Sequence, residues 1–141
     1  MASPMTDGKK GYLGWELPLE IRDALLEKFP PNYPNVVAHH CTLKFGVGAN
    51  APLPTETSAV VVGVADDNNG VQALVLSIAG TTTRPDGSTY HITWSLNSGR
   101  KPVESNTVIQ RFGWTPASPF TRIPLIPKFF PFSQKKPVDK P

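Results

Sequence analysis

The sequence predicts an α+β domain built mainly of antiparallel strands. Short runs rich in β-branched and apolar residues recur along the chain, each closed by Gly, Pro, Asn or Asp. Only one stretch carries helical periodicity, and seven of the 16 prolines fall in residues 116–141, which excludes a helix there.

In chain order, residues 1–10 read as a flexible leader. Residues 11–17 (GYLGWEL) read as a strand with Tyr12 near its start. Pro18 suits the first turn of a helix, and Ile21, Ala24, Leu25 and Phe29 form its apolar stripe until Pro30, Pro31 and Pro34 end it. Residues 36–45 form a strong strand, followed by a loop marked by Gly46, Gly48, Pro52 and Pro54. Residues 58–65 and 71–79 flank Asp66-Asp67-Asn68-Asn69-Gly70 and read as a hairpin. Residues 80–87 form a loop with a turn at Asp86-Gly87, and residues 89–96 another strand. Residues 97–106 read as an irregular polar loop that includes Arg100, Lys101, Ser105 and Asn106, and residues 108–114 as a further strand. An edge strand or extended arm follows through residues 123–132. The expected organisation is a leader (1–10), one compact domain (11–115) and a Pro-rich basic C-terminal arm (116–141), partly packed.

A chain of 141 residues can bury a real core without staples. The single cysteine, Cys41, excludes an internal disulfide framework and suits a reducing compartment. No apolar run has the length of a membrane span and no secretory signal is legible, so a cytoplasmic protein without a membrane role is expected. The net charge of +3 is unevenly placed: residues 116–141 carry +4 and the remainder −1, so the basic pI does not imply a broad nucleic-acid-binding face.

The chemistry lies in two matched segments, His40-Cys41-Thr42-Leu43 and His91-Ile92-Thr93-Trp94. Alternation along a strand puts each histidine on the same face as its threonine. Two imidazoles supply a proton acceptor and a proton donor near neutral pH, and two hydroxyls supply hydrogen bonds for phosphate oxygens. On the same alternation His39 and Cys41 should face away, and a zinc site from His39, His40, Cys41 and His91 is not expected, because strand neighbours diverge and no second cysteine completes it. Tyr12 and Trp94 are candidates to stack a base, while Lys44 and Ser95 continue the two motif faces.

Paired His-x-Thr motifs of this kind resemble the 2H phosphoesterase superfamily, with similarity over roughly residues 11–112. The resemblance implies a LigT-like architecture: two pseudo-symmetric lobes of antiparallel strands with a flanking helix, and an active cleft between them. The chain departs from the family in its compactness and in lacking a second long helix between the motifs. By this resemblance His40, Thr42, His91 and Thr93 are the catalytic set and no metal or cofactor is required. His91 is assigned as base and His40 as acid, the reverse being allowed by the pseudo-symmetry. The implied activity is cleavage of a ribonucleotide phosphodiester: a cyclic oligonucleotide signal, a 2′-5′ oligoadenylate or a 2′,3′-cyclic phosphate. The partner is then a small nucleotide or an RNA end, bound by a monomer, with degradation of immune signal nucleotides as one biological use. The alternative is a non-catalytic RNA- or nucleotide-binding, or RNA-end repair, module that keeps the cleft.

Overall fold

The structure is a computed structural model that describes residues 10–132, so most of the expected leader and the tail beyond residue 132 lie outside the described residues. It is α+β, with an eight-stranded antiparallel sheet and two helices: β1 (Lys10–Glu16), α1 (Leu19–Lys28), β2 (Asn35–Val36), β3 (His40–Gly48), β4 (Ser58–Asp66), β5 (Val71–Ser77), β6 (His91–Leu96), α2 (Glu104–Phe112), β7 (Thr115–Pro124) and β8 (Ile126–Pro131). The strand order is β7-β4-β5-β6-β3-β1-β8, and β2 pairs with β6 beside this path. No helix among the described residues is long and apolar enough to cross a membrane.

The two ends of this order are joined in an unexpected way. β7 and β8 are separated in the chain by Leu125 alone, yet they stand at opposite edges. The sheet must therefore curl until one extended stretch serves both edges. Leu125, at the crossing, is buried and donates its N–H to the Thr57 carbonyl (2.8 Å). The Pro-rich stretch is thus integral to the sheet up to residue 131 rather than an arm attached to it. Edge strands suit this composition, because a proline there removes no ladder hydrogen bond that a partner needs.

The curl separates two apolar faces. Its inner face packs Trp15, Cys41, Leu74, Ile92, Trp94 and Leu125 around Leu25 of α1. Its outer face over β5 and β6 packs Ala73, Val75 and Leu96 against Val108 and Ile109 of α2. α1 follows most of the predicted stripe: Leu25 is buried and Ile21 and Phe29 lean on the inner cluster, but Ala24 is exposed and Leu26 packs in its place, and the helix stops before Pro30. α2 overturns the expected strand at 108–114 and the expected loop through 106. Ser105, Val108 and Ile109 form its buried stripe, and Gly113 ends it with φ of 69°. The hairpin loop forms as predicted: Asp66 and Asp67 accept the N–H groups of Asn68 and Asn69, both at 2.8 Å.

The expected strand over 36–45 is broken. Residues 35–36 pair with β6, the chain turns at Ala38 (φ 46°), and β3 begins at His40. The break is braced on both sides. Arg22 of α1 donates from Nε to the Ala38 carbonyl (2.9 Å), and the Ala38 N–H donates to the Thr93 carbonyl (3.0 Å).

Candidate active site

β3 and β6 meet at one pair, Cys41 with Ile92, the middle residues of the two motifs. Both side chains are fully buried on the inner face. Strand alternation then sends Thr42, His91 and Thr93 to the outer face, where His91 and Thr93 pair with Val75 and Ala73 under α2. The antiparallel register brings the two motifs together head to tail, and His91 is near enough to His40 to lower its basicity.

The second motif is internally satisfied. His91 is 3% exposed. Its Nδ1 lies 2.8 Å from the Thr89 carbonyl, which can only accept, so Nδ1 carries the proton and Nε2 a lone pair. Burial pushes its pKa down to about 4, with the Arg84 charge adding to the effect and the Thr89 bond opposing it. Thr93 Oγ1 shares a 2.8 Å hydrogen bond with Ser105 Oγ and donates to the Pro102 carbonyl (3.3 Å) when that proton is its own. Ser105, expected in a solvated loop, is fully buried here.

The first motif is different. Among the described residues, the buried side-chain polar atoms without a hydrogen-bond partner are His40 Nε2 and Thr42 Oγ1. Burial pushes the His40 pKa down to about 3, and the neighbouring His39 and His91 lower it further. Its ring lies among Tyr12 (centroids 5.3 Å apart) and Phe130 (5.2 Å). His39 does not point away as strand alternation predicted. The break at Ala38 turns it alongside His40, with the two Nδ1 atoms 3.0 Å apart. His39 Nε2 in turn lies 3.3 Å from Glu16 Oε2.

Beside Thr42 opens a cavity of about 430 Å³, lined by Thr42, Phe45, Arg84, Asp86, Val103 and Asn106 among others. Thr42 is the one predicted catalytic residue in that lining. Arg84, which the sequence reading missed, is 6% exposed. It donates to the Thr42 carbonyl (3.1 Å), Ser88 Oγ (2.8 Å) and Asn106 Oδ1 (3.0 Å), and its Nε lies 3.7 Å from Asp86. A buried guanidinium in a cavity wall is an anion-attracting element. Its sequence context, Arg-Pro-Asp-Gly, reads only as a turn, so spacing alone could not reveal it.

Four residues expected to bind substrate are placed less favourably. Tyr12 does border His40, but its ring is already stacked on Phe45 and Phe130. Lys44 is exposed and does not continue the Thr42 face. A β-bulge at Leu43 makes Lys44 pair with Leu13, whereas Phe45 takes the position beside Tyr12 and the cavity. Trp94 is 0% exposed on the inner face and donates Nε1–H to the Phe29 carbonyl (2.7 Å), so neither ring face can receive a base. Ser95 is fully buried, donating to Gln72 Oε1 (2.6 Å) and accepting the Tyr33 N–H (3.2 Å).

No family model matches the chain, and no curated protein or solved structure is significantly similar to it.

Proposed function

We propose that this protein is a metal-independent, two-histidine phosphodiesterase acting on a small ribonucleotide, with the outer face of the β3–β6 junction as its cleft. In this reading β3-β1-β8 and β6-β5-β4-β7 are two lobes of a LigT-like fold that meet at the Cys41–Ile92 pair. The observation that carries the reading is the unpaired state of His40 Nε2 and Thr42 Oγ1. A buried polar atom without a partner costs roughly 1–3 kcal/mol, and two in one His-x-Thr motif, beside a cavity walled by Arg84, suit a ligand that supplies the missing bonds.

The chemistry needs only groups that the chain holds. A phosphodiester seated against Thr42 and Arg84 would have a non-bridging oxygen on the hydroxyl and its charge facing the guanidinium. One histidine takes the proton of the neighbouring ribose hydroxyl, the 2′ group beside a 3′-5′ linkage or the 3′ group beside a 2′-5′ linkage, as that oxygen attacks phosphorus. The bond from phosphorus to the leaving oxygen breaks, and the second histidine, having first taken a proton from solvent at its Nε2, gives that proton to the leaving oxygen. The product is a 2′,3′-cyclic phosphate, which water can open by the same steps in reverse roles. The volume of the cavity suits one nucleotide unit, which favours a cyclic oligonucleotide, a 2′-5′ oligoadenylate or a 2′,3′-cyclic end over a long RNA.

The burial of His91 favours one competing reading, a cleft that binds nucleotides without turning them over. A panel of cyclic di- and trinucleotides, 2′-5′ oligoadenylates and 2′,3′-cyclic nucleotides, incubated in excess chelator and read by mass spectrometry, separates the two. Turnover that falls at least a hundredfold in both His40→Ala and His91→Ala, with folding intact, is expected. Binding without turnover supports the non-catalytic module, and turnover that survives both substitutions refutes the assignment.

A further inference from the structure

We propose that Glu16 and His39 are positioning residues for His40, forming a relay that lets the half-buried imidazole take a proton at Nε2 while the resulting charge settles on exposed His39. The inference rests on the reading of His40 as catalytic, and it assigns the base to His40 rather than to His91.

The geometry fixes where the protons sit. Two Nδ1 atoms 3.0 Å apart need one proton between them. If His39 supplied it while neutral, its Nε2 would turn a lone pair toward Glu16 Oε2 at 3.3 Å, and His40 would hold an Nε2–H in a buried site without an acceptor. The opposite assignment removes the conflict at Glu16 and leaves His40 Nε2 as an unpaired acceptor, ready to take a proton, rather than an unpaired donor. His39 then points Nε2–H at the carboxylate, His40 donates Nδ1–H to His39, and His40 Nε2 is a bare lone pair. Glu16 is itself held in place, because its other oxygen lies 3.2 Å from Lys128 Nζ on β8.

The arrangement also answers a difficulty of the site. A half-buried imidazole among Tyr12 and Phe130, with its Nε2 out of reach of water, holds a charge poorly, and desolvation with the neighbouring His39 and His91 keeps its pKa low. In the relay, Nε2 of His40 gains the substrate proton while its Nδ1 proton passes to Nδ1 of His39. His40 ends neutral, and the imidazolium forms on His39, whose side chain is 52% exposed beside the Glu16 carboxylate. The other ionisable groups around the pair are Tyr12 on β1, Lys128 on β8 and His91 on β6. None of them offers the Nδ1 of His40 a second acceptor.

The test is ¹⁵N NMR of the histidine rings in the full chain without ligand, followed by pH–rate profiles. In the wild type, His40 Nδ1 is expected to be protonated and Nε2 to show a bare, pyridine-like nitrogen. His39→Ala and Glu16→Gln should loosen that tautomer, with the larger effect from His39→Ala. On the best substrate from the panel, His39→Ala should lower kcat at least tenfold with KM little changed, and move the acid limb of the profile to lower pH. A proton on Nε2 of wild-type His40, or a tautomer or acid limb unchanged in His39→Ala, overturns the relay. Failure of the parent reading is distinct: it shows as turnover that survives His40→Ala, whereas the ring tautomers judge the relay without any substrate.

Discussion

The two threonines of the paired motifs occupy matched places in sequence and unmatched places in energy. Thr93 Oγ1 is bonded to Ser105 and its replacement by valine would leave the fully buried Ser105 hydroxyl without that partner. Thr42 Oγ1 has no partner to lose. Thr93→Val should therefore destabilise the protein by about 1–2 kcal/mol, while Thr42→Val, which replaces a desolvated hydroxyl by a methyl group of similar size, should be neutral or stabilising by up to about 1 kcal/mol. Urea denaturation of both variants checks this. If Thr42 holds phosphate, the stabilised variant should also lose turnover, the pattern expected where polar groups are kept for function rather than for folding. Thr42→Val that is destabilised like Thr93→Val would mean that its hydroxyl is already satisfied.

At the scale of elements, the strands were legible because alternation and turn residues are local signals. The hairpin around residues 66–70 needs only its Asp, Asn and Gly residues to be predicted, and it forms as expected. α2 was missed because its buried stripe begins with a serine and its middle, Val108-Ile109, is β-branched. The i, i+3, i+4 spacing of Ser105, Val108 and Ile109 and the closing Gly113 were present, but a polar first member hides a stripe from any reading keyed to hydrophobicity. The adjacent placement of His39 and His40 was out of reach for another reason. It depends on the turn at Ala38, which is held by Arg22 from α1 and by Thr93 from β6, both remote in sequence. The Leu43 bulge likewise reversed the roles of Lys44 and Phe45. Opposite this irregular part of β3, Gly14 pairs with Thr42, and a Cβ there would stand 2.1 Å from the Cys41 carbonyl oxygen. That atom is backbone, so β1 and β3 would have to part. Gly14→Ala is expected to cost more than about 2 kcal/mol and to disturb the His40 ring signals, measured by denaturation and NMR together. A variant as stable as the wild type would show that β1 approaches β3 less closely than this.

For the whole molecule, placing two histidines in the interface between an aromatic layer and a helix ties stability to pH. His40 and His91 titrate at about 3 and about 4 in the folded chain, below the ordinary value of 6.5. Between those limits the unfolded chain binds more protons than the native one, so stability is full above pH 6.5 and falls as the solution is acidified toward pH 4 and below. For His91 alone the loss by pH 4 is on the order of 3 kcal/mol, given its folded value of about 4. Carboxylates contribute in the same direction but lower: Asp67, Asp86 and Glu104 are held below their ordinary range of 3.8 to 4.5, so their share is retained until the pH falls through that range. The window from pH 6.5 to about 5 therefore belongs to the histidines. Urea midpoints measured across it should fall steadily for the wild type. His91→Gln, neutral in both states, should start from a lower stability and show a distinctly flatter slope. A wild-type midpoint that stays level down to pH 5 would mean that water reaches both imidazoles, and the burial that motivates the relay through His39 would go with it.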